Sequence, residues 1–277
     1  PKQSNKYPGR GRFFCFAALT CFFARLYYLF SSFVYQEYEL RLKVRVMITE
    51  ETVHIKGIPK KLIIFLHGYI DSSPSLDRRL SVLYDTLDDF AIHLPQAPVI
   101  CEIHENKRQW YSMHRFDPND DRKLVPTMEE CVAFYNRMTL GLKNAYDYLM
   151  PYIEQSMAEY NLTPDDVYVC GFSQGAMVAL YLGLMYPERF AGIVSFSGIL
   201  AAAPYLHKHA VSTPDVLLLH GTSDNLIRYA ALDYTREQLE QLGCNVATHS
   251  IEGGQHMVND EGLAQAVAFI RSRSEHA

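Results

Sequence analysis

The features that this sequence lacks exclude several kinds of site. Its six cysteines are scattered over 277 residues, with no C-x-x-C pair and no histidine spacing of the kind that holds zinc. The stretch after the first predicted strand, residues 67–71, has neither the lysine nor the glycine spacing of a phosphate-binding loop. We therefore expect no metal site and no such nucleotide site, and the scattered cysteines indicate a reducing compartment.

An excess of positive charge is also missing. The chain has 26 Lys and Arg against 31 Asp and Glu, a formal net charge of −5. Because nucleic-acid binding requires a basic surface, this balance argues against it as the main role. The sequence shows no internal repeat, and its charged run at 117–123 is typical of a solvated loop face.

The first 46 residues differ in character from the rest. Basic residues precede an apolar run at 13–24, as in a secretory signal, and an extension of that run to residue 35 is long enough for a tilted membrane span. Residues 22–24 lack the small-x-small pattern of a cleavage site. We expect residues 1–46 to be an extension upstream of a start at Met47, and a membrane anchor over 13–35 or a cleaved signal stays open.

Strand and helix patterns alternate from Leu62 onward, which favours a mostly parallel sheet with helices on both faces. An apolar content of 48% suffices for a sizeable core. The predicted strands cover about 61–66, 90–94, 166–171, 192–197, 216–220 and 246–251. The predicted helices cover about 76–88, 128–157, 174–186, 229–242 and 260–272. The sequence thus predicts one α/β catalytic domain over residues 47–277.

The most informative motif is G-x-S-x-G, at residues 171–175, with a buried-strand pattern before it and a helical pattern after it. This context is that of a nucleophile elbow, a sharp turn that exposes Ser173 above the sheet. Glycines fit at both ends because the turn leaves little room for side chains. The backbone N–H of Gln174 then points at the position where an oxyanion forms. The pentapeptide alone is common, and a plain turn is the alternative.

Two residues after Ser173 complete a triad in the order serine, acid, histidine. Asp224 follows the apolar run 216–219, which places it at the carboxyl edge of the sheet beside the serine. His256 lies in a glycine-rich loop after the last predicted strand. We expect His256 to accept the serine proton while Asp224 fixes its tautomer.

Other residues compete for these two roles. For the base, His220 is read as a structural neighbour of Asp224, and His249 as a strand residue. For the acid, Asp215 precedes its strand and so lies at the wrong edge of the sheet, whereas Glu252 is a weaker alternative on a strand end near His256.

A second oxyanion donor is expected in the loop after the strand 61–66. Gly68 lets the backbone turn close to the serine, and the N–H of Tyr69 is the predicted donor. His67 is read as a structural residue. An ordinary strand-to-helix turn is the alternative interpretation.

These segments together carry a family resemblance. The sequence resembles the phospholipase/carboxylesterase family, which includes acyl-protein thioesterases and bacterial carboxylesterases, at residues 62–69, 93–98, 110–111, 171–198, 217–224 and 253–256. The resemblance implies a single α/β-hydrolase domain without a large cap, no cofactor, and hydrolysis of carboxylic esters or thioesters. It also implies the triad Ser173, Asp224 and His256, with Tyr69 and Gln174 as oxyanion donors. Family members usually carry a small aliphatic residue, often leucine, in place of Tyr69, so the shape of the acyl site does not follow from the family.

The long loop 100–127 lies where family members build one wall of the substrate groove. It holds the only tryptophan of the chain. Trp110, Tyr111 and Met113 are therefore candidates for contact with an acyl chain. A loop that is simply anchored by its aromatic residues is the equal alternative.

The sequence as a whole predicts a cytoplasmic serine hydrolase that acts on carboxylic esters or thioesters through an acyl-enzyme. Its expected partner is a small-molecule or acyl-chain substrate, with no nucleic acid, and with membrane contact only if residues 13–35 form an anchor. A lysophospholipase or a peptidase on the same triad stays open, because the triad does not select the leaving group. An inert scaffold of the same fold is the alternative outside enzymes. The oligomeric state does not follow from the sequence.

Overall fold

The computed structural model describes residues 51–118 and 127–274. The expected extension over residues 1–46 lies outside the described residues, and so does most of the charged run at 117–123. The separation of an N-terminal extension from the catalytic domain at residue 47 therefore stays a prediction.

The centre of the structure is a seven-stranded sheet in the order β1-β3-β2-β6-β7-β8-β9. Only β1 runs antiparallel to its neighbour, and the six other strands are parallel. Two more strands, β4 and β5, form a separate antiparallel hairpin. The strands are β1 (Glu51–Lys56), β2 (Lys61–Leu66), β3 (Phe90–Pro95), β4 (Val99–Cys101), β5 (His104–Gln109), β6 (Val167–Phe172), β7 (Gly192–Phe196), β8 (Val216–Gly221) and β9 (Val246–Ile251).

Helices connect the strands of the sheet and cover both of its faces. They are α1 (Ser73–Asp77), α2 (Ser81–Thr86), α3 (Met113–Phe116), α4 (Met128–Asn136), α5 (Thr139–Tyr160), α6 (Gln174–Met185), α7 (Ala203–His209), α8 (Ala231–Gln241) and α9 (Asp260–Ser274). This arrangement confirms the predicted α/β fold, and no large cap interrupts the described residues.

Side-chain alternation along the strands builds two cores, one on each face. On β2, Leu62 and Ile64 belong to the core on one face, whereas Ile63 and Phe65 belong to the core on the other. Because successive strand residues point to opposite faces, an unbroken apolar run is the pattern of a strand buried on both sides. The helix α6 is also apolar all around, with buried residues at nearly every position. It therefore lies in the interior, behind the turn that begins it.

Most predicted elements are confirmed, with two corrections to helices. The helix expected over 76–88 is two short helices, α1 and α2, separated around the fully buried Leu80. The helix expected over 128–157 breaks after Asn136, whose carbonyl accepts a hydrogen bond from Thr139 Oγ1 at 3.1 Å. The hydrophobic spacing continues across both breaks, so the sequence pattern alone reads as one helix in each case.

Candidate active site

The turn between β6 and α6 has the backbone geometry of a strained elbow. Ser173 has φ 55° and ψ −116°, which a residue with a side chain rarely adopts. A Cβ at Gly171 meets the carbonyl oxygen of Gly175 at 2.3 Å, and a Cβ at Gly175 meets that of Leu66 at 2.2 Å. The two glycines are therefore required sterically, and Ser173 is held out from the sheet edge.

Three side chains from separate loops meet at this edge. The Nε2 atom of His256 lies 2.9 Å from the Oγ atom of Ser173. The Nδ1 atom of the same ring lies 2.7 Å from Oδ2 of Asp224. Because a carboxylate only accepts, Nδ1 carries a proton and donates it, which leaves Nε2 as an acceptor for the serine hydroxyl. The geometry permits proton transfer from Ser173 to His256.

Asp224 is almost fully surrounded by hydrogen-bond donors. Its Oδ1 atom accepts from the backbone N–H groups of Leu226 and Ile227, each at 2.9 Å. Burial by itself raises the pKa of Asp224, but hydrogen bonds from His220 and His256 outweigh burial, and the pKa lies well below the usual range. The acid is therefore a fixed carboxylate at neutral pH.

The four residues considered as alternatives to His256 and Asp224 lie elsewhere or make other contacts. His220 is buried, and its Nε2 atom donates to the carbonyl of Ile227 at 2.8 Å while lying 3.4 Å from Oδ2 of Asp224. His249 pairs with Glu261 at 2.9 Å. Asp215 pairs with arginines at the opposite end of β8, and Glu252 is exposed.

A cavity of about 380 Å³ opens beside Ser173 and His256. Tyr69 and Gln174, the two expected oxyanion donors, also border it. Gln174 is the first residue of α6, and Tyr69 follows β2, which is the parallel neighbour of β6. The remaining wall is mainly apolar and includes Met113, Cys131, Phe134, Tyr135, Met177 and Ile227.

Comparison with known proteins agrees with this geometry. The sequence profile of the phospholipase/carboxylesterase family matches residues 49–274, which is most of the chain. The chain belongs to this family. Family membership confirms the predicted carboxylic ester hydrolase.

Relatives and solved structures of this family support the assignment. The chain is 24% identical over 226 residues to a probable carboxylesterase of Oryza sativa subsp. japonica, covering 77% of each chain. It is 28% identical over 224 residues to acyl-protein thioesterase 1 of Schizosaccharomyces pombe, covering 76% of this chain and 89% of the relative. The crystal structure of esterase PE8 superposes with a TM-score of 0.71 at 29% identity, over 80% of this chain and 98% of that one.

The three residues expected to line the substrate groove, Trp110, Tyr111 and Met113, differ in their position relative to the cavity. Met113 lines the cavity, whereas Trp110 and Tyr111 are not among its lining residues. Trp110 is 1% exposed and Tyr111 is 3% exposed, both packed behind the wall. Their backbones are held by the side chain of Gln174, which accepts from the Trp110 N–H at 2.9 Å and donates to the Tyr111 carbonyl at 3.0 Å.

Sequence reasoning missed much of the cavity wall. Cys131, Phe134 and Tyr135 form one face of α4, and the spacing of such a stripe is the same as that of any helix face in a core. Ile227 follows Asp224 in a loop without a periodic pattern. The only signal for these wall residues was their proximity in sequence to the charged loop and to the acid.

No group of three or more metal-ligating side chains occurs in the described part of the chain.

Among residues 51–118 and 127–274, no helix combines the length and the apolar character needed to cross a bilayer.

Proposed function

We propose that Ser173 is the nucleophile of this hydrolase, that His256 is its general base, and that Asp224 orients His256. The observation that carries this proposal is the unbroken pair of hydrogen bonds, 2.9 Å and 2.7 Å long, that joins the three side chains. A serine is a weak nucleophile until a neighbouring base takes its proton, and this geometry supplies that base.

Each step of the proposed reaction uses a group at the site. Ser173 attacks the acyl carbon while its proton moves to Nε2 of His256, and the imidazolium then protonates the leaving alcohol or thiol. The backbone N–H groups of Tyr69 and Gln174 stabilise the oxyanion, a contribution of about 3–4 kcal/mol per donor in comparable sites. Water, deprotonated by the same histidine, releases the acid and restores Ser173.

The substrate class follows from the cavity and from the relatives. The largely apolar wall beside the nucleophile suits an acyl chain, and Asn225 and Arg228 add polar groups to the same cavity. The names carboxylesterase and acyl-protein thioesterase describe two relatives, and we extend the ester or thioester bond from them to this chain. A lysophospholipid or an amide also presents an acyl carbon to such a site, so a substrate panel separates these candidates.

The cytoplasmic location stays a prediction. The four cysteines in the described part of the chain, Cys101, Cys131, Cys170 and Cys244, are all free and buried. Free thiols support a reducing compartment.

The test compares Ser173→Ala with the wild type on esters, thioesters, amides and lysolipids. We expect the variant to lose turnover of every substrate that the wild type cleaves. Ser156→Ala is the matched control, because it removes one buried hydroxyl from α5 that donates to the Tyr152 carbonyl and lies 3.5 Å from Nδ1 of His93, and none of these residues lines the cavity. Turnover by Ser173→Ala at the wild-type rate overturns the proposal.

A further inference from the structure

The two oxyanion donors stand on separate elements, and polar contacts outside the cavity connect these elements. Tyr69 follows β2, whereas Gln174 begins α6. An oxyanion hole works only if both N–H groups are aimed at one point before the reaction begins. The elements themselves are joined through Trp110, which sits behind the cavity wall.

His67 fixes the orientation of the peptide that carries the first donor. The backbone N–H of Ala97 donates to Nε2 of His67 at 3.1 Å, so the ring proton is on Nδ1. Nδ1 donates it to the carbonyl oxygen of Gly68 at 2.8 Å. Because a trans peptide is planar, fixing the Gly68 carbonyl also fixes the direction of the Tyr69 N–H.

The protonation state of His67 agrees with this pattern. The side chain is fully buried, and burial lowers its pKa to about 4. The neutral ring is the form that accepts from Ala97 and donates to Gly68 at the same time. A charged ring turns an N–H toward the Ala97 N–H and loses that contact.

Trp110 connects the adjacent peptide, between His67 and Gly68, to the second donor. Its indole N–H donates to the backbone carbonyl of His67 at 2.7 Å. Its backbone N–H donates to the side chain of Gln174, whose own backbone N–H is the second proposed donor. A continuous chain of hydrogen bonds therefore runs from Gly68 through His67 and Trp110 to Gln174.

We propose that His67 and Trp110 are positioning residues that hold the two oxyanion donors at a fixed separation through this chain of hydrogen bonds. The inference rests on the proposed function of Tyr69 and Gln174. Neither positioning residue lines the cavity, so neither contacts the substrate. Their effect is confined to the stability of the tetrahedral state, which is the only state that needs both donors.

The first test replaces Trp110 by Phe, which keeps an aromatic ring but removes the indole N–H and leaves a small void where the buried indole lies. We expect kcat for a p-nitrophenyl ester to fall by about tenfold, because small displacements of a preorganised donor are costly. KM stays within about twofold, since the donors act equally in acylation and deacylation. Affinity for an alkylboronic acid, which forms a tetrahedral adduct on serine, falls with kcat.

Tyr168→Phe is the matched control. It also removes a buried hydrogen bond from an aromatic side chain to a backbone carbonyl, that of Ile270, together with a contact to Ser274 Oγ at 3.1 Å, at the far end of β6 from Ser173. We expect Tyr168→Phe to lower thermal stability through the lost hydroxyl contacts, with kcat and boronic acid affinity unchanged. This separates positioning from a general loss of stability.

A second pair of variants keeps the test decisive if Trp110→Phe does not fold. His67→Asn retains a donor near the position of Nδ1, whereas His67→Leu has none. We expect His67→Leu to lose about tenfold in kcat and boronic acid affinity, and His67→Asn to recover part of both. Combining His67→Leu with Trp110→Phe gives a loss smaller than the product of the single losses, because both break the same chain.

The outcomes distinguish this inference from the proposed function. If wild type turns over the ester, and Trp110→Phe and His67→Leu keep wild-type kcat and boronic acid affinity, the inference is wrong and the proposed function stands. If the wild type neither turns over any ester nor binds the boronic acid, both are overturned.

Discussion

Asp224 and His256 meet across two loops that leave neighbouring parallel strands, with Oδ2 of the acid 2.7 Å from Nδ1 of the histidine. The loops are joined by their backbones as well: the Ser223 N–H donates to the Gly254 carbonyl at 2.9 Å. A Cβ at Gly221 meets that same carbonyl at 2.2 Å, so the close approach requires glycine. The position of His256 relative to Asp224 is thus set by the pairing of β8 with β9.

Replacement of the acid tests this relationship. Asp224→Asn keeps the shape of the side chain but stabilises the wrong imidazole tautomer, and we expect kcat to fall by about 10³–10⁴-fold. Asp215→Asn is the control, because it changes a carboxylate at the opposite end of β8 that pairs with Arg189 and Arg273. Equal kcat values for the two variants contradict the role given to Asp224.

Two glycine substitutions test the steric requirement of the elbow. Gly175→Ala forces a Cβ to within 2.2 Å of the Leu66 carbonyl, and we expect a loss of more than about 3 kcal/mol in the free energy of unfolding. Gly253→Ala is the matched control: its φ is 66°, but nothing lies within 4 Å of the added Cβ. It should cost about 1–2 kcal/mol from backbone strain alone. Chemical denaturation of both variants measures the difference.

Stability should depend on pH through two buried neutral histidines. Burial lowers the pKa of both His67 and His93 to about 4, from an ordinary value of about 6.5. Between these values the unfolded chain binds a proton at each ring and the folded chain does not. The stabilisation that depends on the two neutral rings is therefore fully present above pH 6.5. As the pH drops toward 4, the free energy of unfolding falls by about 1.4 kcal/mol per pH unit for each histidine.

A single variant isolates one of these histidines. His93 is held by the hydroxyls of Tyr152 and Tyr160, at 2.8 Å and 2.9 Å. His93→Gln does not titrate, so urea denaturation at pH 7 and pH 5 should show a smaller loss of stability than in wild type. The exposed His104 provides the control, and His104→Gln should keep the wild-type slope. The same slope in all three proteins refutes the prediction for His93.

The cavity wall should set the preferred acyl length. Cys131→Phe fills part of the cavity from α4, and we expect the ratio of kcat/KM for octanoyl over acetyl esters to fall by about tenfold. Phe134→Ala, from the same helix, enlarges the cavity and should shift this ratio toward longer chains. Opposite shifts from neighbouring positions exclude a general effect of disturbing α4. If the ratio is unchanged in both variants, the cavity is not the site that binds the acyl chain.

Most of the central sheet could be predicted from the sequence because its inner strands β2, β3, β6, β7 and β8 are buried on both faces. Apolar runs such as 62–66 and 216–219 mark a buried strand without ambiguity when helices alternate with them. The antiparallel edge strand β1 and the hairpin β4–β5 were missed. The residues of β1 alternate between exposed and half-buried, those of β5 are polar or charged, and the apolar β4 is only three residues long, so no pattern distinguishes these strands from loops.

The three triad candidates could be predicted from the sequence, because their order along the chain and their positions after strands are typical of such a site. Ser173, Asp224 and His256 each follow a parallel strand of the sheet, and carboxyl ends of parallel strands share one edge. The location of Trp110 was not predictable, because an aromatic residue in a loop can equally well line a groove or be a buried structural residue. The burial of Trp110, its absence from the cavity lining and the contact of its indole with the His67 carbonyl distinguish the two. The catalytic roles themselves stay predictions.

The proposed mechanism requires a covalent acyl-enzyme on Ser173, and peptide mass spectrometry after reaction with an activated ester and rapid quenching detects it. We expect an acyl adduct on the peptide that contains Ser173, absent in Ser173→Ala. Full hydrolysis with an adduct on another residue, or turnover that persists without Ser173, contradicts it.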